Sequence, residues 1–164
     1  MFKNKFYTLI ATGLFVGKIP FAPGTFGSVL GVLIWVLINQ IFFPSLLIWG
    51  LIIAVLTLIG IRAADFYCKK HKKEDAKEVV IDEICGQLLA FLIAEYFLTN
   101  LNYLSLFLGF VLFRIFDIKK PLLIGSLDKK VKGGLGVMLD DLLAGICAGV
   151  LLLIINLVLP VALS

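Results

Sequence analysis

The sequence predicts one all-α domain over residues 1–164, an integral membrane helical bundle with about four to five spans. Hydrophobic residues form 61% of the chain and the mean hydropathy is +1.08, whereas soluble domains are about 45–50% apolar. Charged residues form only 16% of the chain and are concentrated between apolar segments. Irregular backbone is excluded from lipid, so the apolar segments are predicted to be helices. They run roughly over 28–43, 45–61, 84–99, 101–113 and 142–163.

The N-terminus combines a charged start with a short apolar run. A signal peptide would end in a small-residue cleavage site followed by a polar mature sequence, whereas this chain continues into another apolar segment. We therefore predict an amphipathic or buried first helix. The stretch Gly17–Ser28, GKIPFAPGTFGS, contains two Pro and three Gly, which predicts a rigid turn before the next helix. Its N–H groups and hydroxyls would suit a phosphate, although it is not a Walker A sequence.

The later segments differ in length, and their connections differ in charge. A full span takes about 20 residues, so 142–163 is long enough, while the shorter segments would tilt or thin the bilayer. The 101–113 segment either spans or forms a re-entrant or interfacial helix, and 62–80 is predicted to continue the preceding helix beyond the membrane. Basic residues lie in the N-terminus and in the 62–83 and 114–141 connections. The positive-inside rule places all three regions in the cytoplasm.

Two pairs of adjacent carboxylates occur where a connection meets an apolar segment. Asp82-Glu83 precedes ICGQLLAF, and Asp140-Asp141 precedes LLAGICAG. Helix N-capping would explain one carboxylate at each position. It does not explain two adjacent carboxylates, twice, at a low-dielectric boundary where unpaired charge is costly. Because Mg²⁺ binds oxygen ligands together with substrate phosphate, we predict that these four residues are metal ligands.

The stretch Phe113–Asp141 is a polar island between two apolar segments. Asp117 lies three residues after Arg114, a spacing that fits either a structural ion pair or a catalytic role. Asp128 lies at the other end of KKPLLIGSL. Lysines here would neutralise phosphate oxygens, and glycines would allow close backbone approach. These residues are Lys119, Lys120, Lys129, Lys130, Lys132, Gly133, Gly134 and Gly136.

Few other residue patterns carry chemistry. Glu95 lies within an apolar run and is either functional or a residue that reaches the outer interface. His71, the one histidine, is predicted to be a surface residue, and the three scattered cysteines give no disulfide framework or zinc site. No Cys-x5-Arg, DxDx[TV] or DGxxAR pattern occurs, which argues against a cysteine phosphoenzyme, a haloacid dehalogenase and a CDP-alcohol phosphotransferase. The remaining residues suit metal-assisted phosphoryl chemistry with an activated water.

Three stretches, GKIPFAPGTFGS, IDEICGQ and FRIFDIKKP…LDKKVKGGLGVMLDDLLAG, together resemble the phosphatidylglycerophosphatase A family. The resemblance runs from about Gly17 to Gly149. It implies an all-helical, Mg²⁺-dependent lipid phosphatase of the bacterial inner membrane. Such an enzyme removes the terminal phosphate of phosphatidylglycerophosphate during phospholipid biosynthesis. The motif carboxylates correspond to Asp82, Glu83, Asp117, Asp128, Asp140 and Asp141.

Together these arguments predict an active site at the cytoplasmic face. Asp82, Glu83, Asp140 and Asp141 would hold Mg²⁺ against the phosphate. Arg114, Lys120 and Lys132 would neutralise its oxygens. Asp117 or Asp128 would orient the attacking water or form an aspartyl phosphate. The predicted substrate-binding residues are Lys18, Thr25, Ser28, Lys132, Gly133 and Gly134.

The predicted partners are the membrane and an anionic phospholipid substrate, with no nucleic acid because no nucleic-acid-binding motif occurs. A homo-oligomer stays open, since Gly145, Ala148 and Gly149 would permit close helix contacts. Two alternatives remain from the sequence. One is a phosphatase of another lipid phosphate. The other is a non-enzymatic membrane transporter or assembly protein, although a transporter should place its polar residues near the middle of the bilayer.

Overall fold

The computed structural model describes residues 2–73, 76–98, 101–120, 131 and 133–158, with side chains from Asn4 onward. All regular structure in these ranges is helical, which confirms the predicted all-α bundle. The helices are α1 (Phe2–Ala11), α2 (Pro23–Phe42), α3 (Leu46–His71), α4 (Ile81–Phe97), α5 (Tyr103–Lys119) and α6 (Gly134–Val158), with a 3₁₀ turn at Val16–Lys18 between α1 and α2.

Three of the described helices, α2, α3 and α6, are long and apolar enough to cross a membrane. Their outward faces carry large exposed hydrophobic side chains such as Leu37, Leu58 and Ile154, as expected for helices that face lipid. The helices α4 and α5 have 17 residues each, at the short end of the length that spans a bilayer.

Helix α4 lies at the centre of the bundle and contacts α2, α3, α5 and α6. Its middle is buried around the helix, with Cys85, Leu88 and Phe91 fully covered. A helix that is apolar on all sides is stable only when other elements surround it. The bundle therefore fixes both ends of α4, including the first turn that carries Asp82 and Glu83.

Glycines let α6 pack directly against the α4 backbone. A Cβ on Gly145 would overlap the carbonyl oxygen of Gly86, and one on Gly149 would lie 2.7 Å from that of Ala90. Ala148 is buried in the same region. The sequence left these small residues open as contacts with a second copy, but they are used inside the chain, between α4 and α6.

The N-terminal prediction is confirmed, because α1 is a helix that packs against α3. After the buried Gly17, the chain enters α2 at Pro23. Proline is tolerated in the first helical turn because a backbone N–H at that position would have no intrahelical acceptor. The N–H of Val80 donates to the carbonyl of Ala11 over 2.9 Å. The end of α1 and the start of α4 are thereby tied together.

Two predicted helix boundaries are wrong. Helix α3 ends at His71 and does not continue to residue 80, because Lys72 is in the left-handed region (φ 55°) and its N–H closes the last turn on the Lys69 carbonyl. Helix α6 begins at Gly134, well before residue 142. Its first N–H donates to Asp65 Oδ1 of α3 over 2.6 Å, which supplies a cap from a distant part of the sequence.

Candidate active site

Five helix ends meet around a cavity of about 850 Å³ at one end of the bundle. The first turns of α2 and α4 and the second turn of α6 form part of the wall, and the last turns of α3 and α5 form the rest. Helix N-termini carry partial positive charge and C-termini partial negative charge, so the starts of α2, α4 and α6 contribute positive potential that the ends of α3 and α5 partly offset. Its acidic lining residues are Asp65, Asp82, Glu83, Asp117, Asp140 and Asp141.

Three carboxylates form a cluster in this cavity. Asp82, Glu83 and Asp141 each offer an oxygen, and these atoms all lie within 4.8 Å of one another. Asp82 is 8% exposed and Asp141 is 4% exposed. Among the described residues, no hydrogen-bond partner is found for Glu83 Oε2 or Asp141 Oδ2, both of which are buried. Buried like charges are costly unless compensated, so the cluster suits a divalent cation, although nothing in it names the metal.

Asp140 and Asp141 do not lie at a helix start as the sequence predicted. They occupy the second turn of α6, since that helix begins at Gly134. Helix N-capping therefore does not account for either residue. Asp140 also borders the cavity, but among the described residues it is not one of the three clustered carboxylates. Its Oδ2 instead accepts a 2.9 Å bond from Lys120 Nζ.

Arg114 and Asp117 form an ion pair in the cavity wall, with side chains only 16% and 13% exposed. Arg114 Nη1 also donates to Ser28 Oγ over 3.2 Å, and Ser28 donates to the Gly24 carbonyl over 3.0 Å. This chain of bonds ties α5 to the first turn of α2. Arg114 and Asp117 therefore form the ion pair that their spacing predicted. Because the pair borders the cavity, a catalytic role for it also stays possible.

The predicted substrate-binding residues lie in different places relative to the cavity. Thr25 and Gly133 line the cavity. Ser28 and Gly134 do not line it, and they act behind the wall through Arg114 and Asp65. Lys18 is absent from the lining, and its Nζ lies 4.8 Å from the Phe15 ring centroid. Asp128 and Lys132 lie outside the described residues.

Sequence reasoning missed Asp65 and Gly24. Asp65 is the one acid between Arg62 and Lys73, and this isolation within a basic helix end was a usable signal. Gly24 contacts the site through its backbone, because a Cβ there would overlap Glu83 Oε1 and lie 3.4 Å from Arg114 Nη1. No sequence pattern distinguishes Gly24 from the other glycines of its turn.

Three lysines of the 62–83 connection also border the cavity, namely Lys69, Lys73 and Lys77. Lys73 Nζ lies 2.9 Å from Glu78 Oε1. The hydrogen bond between them raises the pKa of Lys73 and lowers the pKa of Glu78. Both groups therefore stay charged over a wider pH range than in an unfolded chain.

Glu95 lies at the other end of α4, away from the acidic cluster. It borders a second cavity of about 530 Å³, together with Asn39, Asn102 and Tyr103. The carboxylate cluster, the buried arginine and the basic connection all belong to the first cavity. Among the described residues, the clustered carboxylates and the cations beside them thus lie at one end of the bundle.

Clustered carboxylates beside fixed cations, at one end of an apolar helical bundle, suit a membrane-bound hydrolase of phosphate monoesters. The chain belongs to the phosphatidylglycerophosphatase A family, whose sequence model matches residues 9–156. This match confirms the resemblance found in the sequence and excludes the non-enzymatic alternative.

Individual relatives agree on the phosphatase class. The chain is 34% identical over 148 residues to phosphatidylglycerophosphatase A of Escherichia coli K12, covering 87% of this chain and 80% of the relative. It is 32% identical over 144 residues to phosphatidylglycerophosphatase A of Haemophilus influenzae, covering 85% and 82%. It is 37% identical over 146 residues, covering 88% and 89%, to a Bacteroides thetaiotaomicron protein named provisionally as a phosphatidylinositol-3-phosphatase. No solved structure matches the chain.

Proposed function

We propose that this protein is a Mg²⁺-dependent phosphatidylglycerophosphatase of phospholipid biosynthesis. It would hydrolyse phosphatidylglycerophosphate to phosphatidylglycerol and inorganic phosphate. The observation that supports this most strongly is the cluster of Asp82, Glu83 and Asp141, with oxygens within 4.8 Å of one another beside Arg114 and Lys120. We infer the substrate from the family membership, because two of the relatives are named for its hydrolysis.

The metal would be held by Asp82, Glu83 and Asp141. Bound there, a divalent cation would offset the repulsion among the carboxylates and draw charge from the phosphate oxygens. Asp140, which is adjacent in sequence, holds Lys120 over 2.9 Å. We therefore infer that Asp140 mainly positions Lys120, and that any role as a metal ligand is secondary.

Arg114 and Lys120 would bind the remaining phosphate oxygens, and Arg114 is held for this by Ser28 and Asp117. Asp117, which is paired with the guanidinium of Arg114, would accept a hydrogen bond from the attacking water and orient it; Asp128 is the alternative. As the new bond from water oxygen to phosphorus forms, the ester P–O bond breaks. One proton of the water passes to the lipid oxygen, which leaves as the free hydroxyl of phosphatidylglycerol, and the other stays on the inorganic phosphate that is released.

We also propose that the protein lies in the bacterial inner membrane with this site facing the cytoplasm. The support is that Lys69, Lys73, Lys77 and Lys120 border the same cavity as the carboxylates. Basic residues near helix ends favour the cytoplasmic side, where a lipid made in the cytoplasmic leaflet would reach the site without crossing the bilayer.

A phosphatidylinositol 3-phosphatase is the second candidate, because the relative with that provisional name is 37% identical to this chain. The two substrates share a phosphate monoester on the polyol headgroup of a glycerophospholipid. They differ in the size of the headgroup that must fit the cavity.

The proposal is tested by phosphate release from purified protein in detergent, with phosphatidylglycerophosphate, phosphatidylinositol 3-phosphate and phosphatidic acid as substrates. We expect fastest release from phosphatidylglycerophosphate with Mg²⁺ and none after EDTA. Asp82→Asn and Asp141→Asn should each lower turnover by about 10²–10³-fold, as for loss of one charge-stabilising group. Glu95→Gln, a matched loss of one carboxylate at the other end of α4, should leave turnover unchanged. Near-normal release from either Asn variant would overturn the metal-site assignment.

A further inference from the structure

Three lysines form a basic rim on the cavity, which we define as Lys69, Lys73 and Lys77. Lys69 lies in the last turn of α3, and the other two lie in the connection to α4. The proposed phosphate-binding cations Arg114 and Lys120 instead come from the last turns of α5 and its C-cap. The cavity is thus bordered by two sets of cations that come from different elements of the fold.

The basic rim has no role in the chemistry assigned to the carboxylate cluster. Within the described residues, Arg114 pairs with Asp117 and Lys120 with Asp140, which places both cations beside the acidic cluster. The cavity of about 850 Å³ is in the range of about 300–1,000 Å³ that encloses a whole small molecule. A single phosphate group would leave much of this volume unused, so the site has room for a longer headgroup.

The rim lysines keep donors for an incoming anion. Lys69 Nζ lies 3.5 Å from Asp65 with its side chain 78% exposed, and Lys73 is 48% exposed while bonded to Glu78. An ammonium group has three N–H donors, so Lys69, with one bond to Asp65, keeps two of them, and Lys73, which donates to both oxygens of Glu78, keeps one. Lys77 is exposed as well. These side chains can therefore reach an oxygen anion at the open side of the cavity.

We propose that the basic rim binds the internal phosphodiester of the substrate while the carboxylate cluster acts on the terminal phosphate monoester. This inference rests on the proposed function and names its substrate class: a glycerophospholipid with a phosphodiester and a phosphate monoester on the same headgroup. Both candidate substrates have this pattern. Phosphatidic acid and glycerol 3-phosphate, which carry a monoester and no diester, do not. The rim thus selects doubly phosphorylated headgroups.

General attraction between lysines and an anionic bilayer is the competing explanation. The chain offers matched controls, because Lys70 and Lys72 are exposed on the same segment and do not border the cavity. Lys70 Nζ instead lies 6.0 Å from the Phe66 ring centroid. Replacing Lys70 and Lys72 removes the same charge from the same end of the molecule as replacing two rim lysines. A difference between these two double variants would therefore come from contacts at the cavity and not from overall charge.

The first experiment compares Lys73→Gln/Lys77→Gln with Lys70→Gln/Lys72→Gln on phosphatidylglycerophosphate and on soluble glycerol 3-phosphate in neutral detergent. We expect the rim variant to raise KM for the lipid by about tenfold with little change in kcat, and to affect the soluble monoester about tenfold less. The control variant should retain the wild-type KM. Equal losses on both substrates, or equal losses in both variants, would overturn the proposal.

A second measurement does not depend on turnover. Short-chain phosphatidylglycerol carries the phosphodiester alone, and its binding to the detergent-solubilised protein can be followed by calorimetry. We expect about tenfold weaker binding to the rim variant than to the wild type or the control variant, and no difference among the three with short-chain diacylglycerol. Equal binding of phosphatidylglycerol to all three proteins would overturn the inference. Absence of hydrolysis by the wild type would count against the proposed function alone.

Discussion

At the scale of single residues, the site depends on backbone as much as on side chains. Gly24 lies in the first turn of α2, where a Cβ would overlap Glu83 Oε1 and approach Arg114 Nη1 to 3.4 Å. The absence of a side chain at this position lets the α2 backbone close over the acidic cluster. Gly24 therefore fixes where the Glu83 carboxylate lies, without contacting a substrate itself.

We expect Gly24→Ala to lower kcat by about 100-fold while the protein stays folded. The new methyl group meets the end of a side chain, which can move, so the displacement falls on Glu83 rather than on the fold. A shift of about 1 Å at a catalytic group can cost about 100-fold in rate. Phosphate release and thermal unfolding in detergent report the two effects. Gly50→Ala is the control, because a Cβ there meets nothing within 4 Å; a Gly24→Ala enzyme as active as this control would contradict the argument.

At the scale of elements, the contact between α4 and α6 brings the carboxylates together. Asp82 and Glu83 lie on α4 and Asp141 lies on α6, and the two helices touch through Gly86 and Gly145. A Cβ on Gly86 would lie 2.5 Å from the carbonyl oxygen of Asp141 and 2.6 Å from the Phe113 ring. The geometry of the carboxylate cluster is therefore set by a backbone contact between the helices.

Gly145→Ala should lower both stability and activity. Its Cβ would meet the Gly86 backbone, which has no flexible end that can yield, so the helices must separate. Overpacking of this kind costs about 1–3 kcal/mol. Denaturation in detergent and phosphate release measure the two losses. Val150→Ala, on the outward face of the same helix, is the control. Full activity in a destabilised Gly145→Ala protein would show that the spacing of α4 and α6 does not control the site.

Asp65 links α3 to the start of α6 by accepting the Gly134 N–H over 2.6 Å. Gly133, directly before it, has φ +76°, a conformation that favours glycine. Loss of a helix cap costs about 0.5–2 kcal/mol. We expect Asp65→Ala to destabilise the protein by this amount and to speed hydrogen exchange in the first two turns of α6. Asp65→Asn keeps an acceptor oxygen and should restore most of the protection. Equal exchange in both variants would show that the bond does not hold the helix start.

These elements also show what the sequence could and could not predict. Apolar runs located every described helix after α1, because lipid-facing and buried helices both require such runs. The start of α6 was placed too late, because Gly133-Gly134 is typical of a loop and its cap comes from Asp65, far away in sequence. The adjacent pair Asp82-Glu83 correctly marked the first turn of α4. Its approach to Asp141 depends on helix packing, which a linear pattern does not contain.

At the scale of the whole molecule, charge is separated along the bundle. Helix ends with carboxylates and lysines surround one cavity, while the opposite end has Glu95 among amides and aromatic rings. Between them, the described core is filled mainly by apolar side chains such as Trp35, Trp49 and Phe91, with the buried amide of Gln87 among them. This arrangement suits an enzyme that meets a lipid headgroup at one face of the membrane.

The carboxylate cluster also predicts how the stability of the fold responds to a divalent cation. Asp82, Glu83 and Asp141 are brought together only in the folded protein, because Asp141 is far from the adjacent pair Asp82-Glu83 in an unfolded chain, so a cation bound among them should stabilise the fold. At about 100 times its Kd, a ligand contributes about 2.7 kcal/mol, which for this chain length corresponds to a rise in Tm of roughly 5–10 °C.

We therefore expect Mg²⁺ to raise the Tm of the wild type and of Glu95→Gln, and EDTA to reverse the rise. Asp141→Asn removes one of the three crowded, buried carboxylates, so its Tm in EDTA should exceed that of the wild type, while its response to Mg²⁺ should be small. Thermal unfolding in detergent measures both quantities without any substrate. If Asp141→Asn gained as much from Mg²⁺ as the wild type, the cation would bind elsewhere, because the cluster would have lost a ligand without losing the stabilisation.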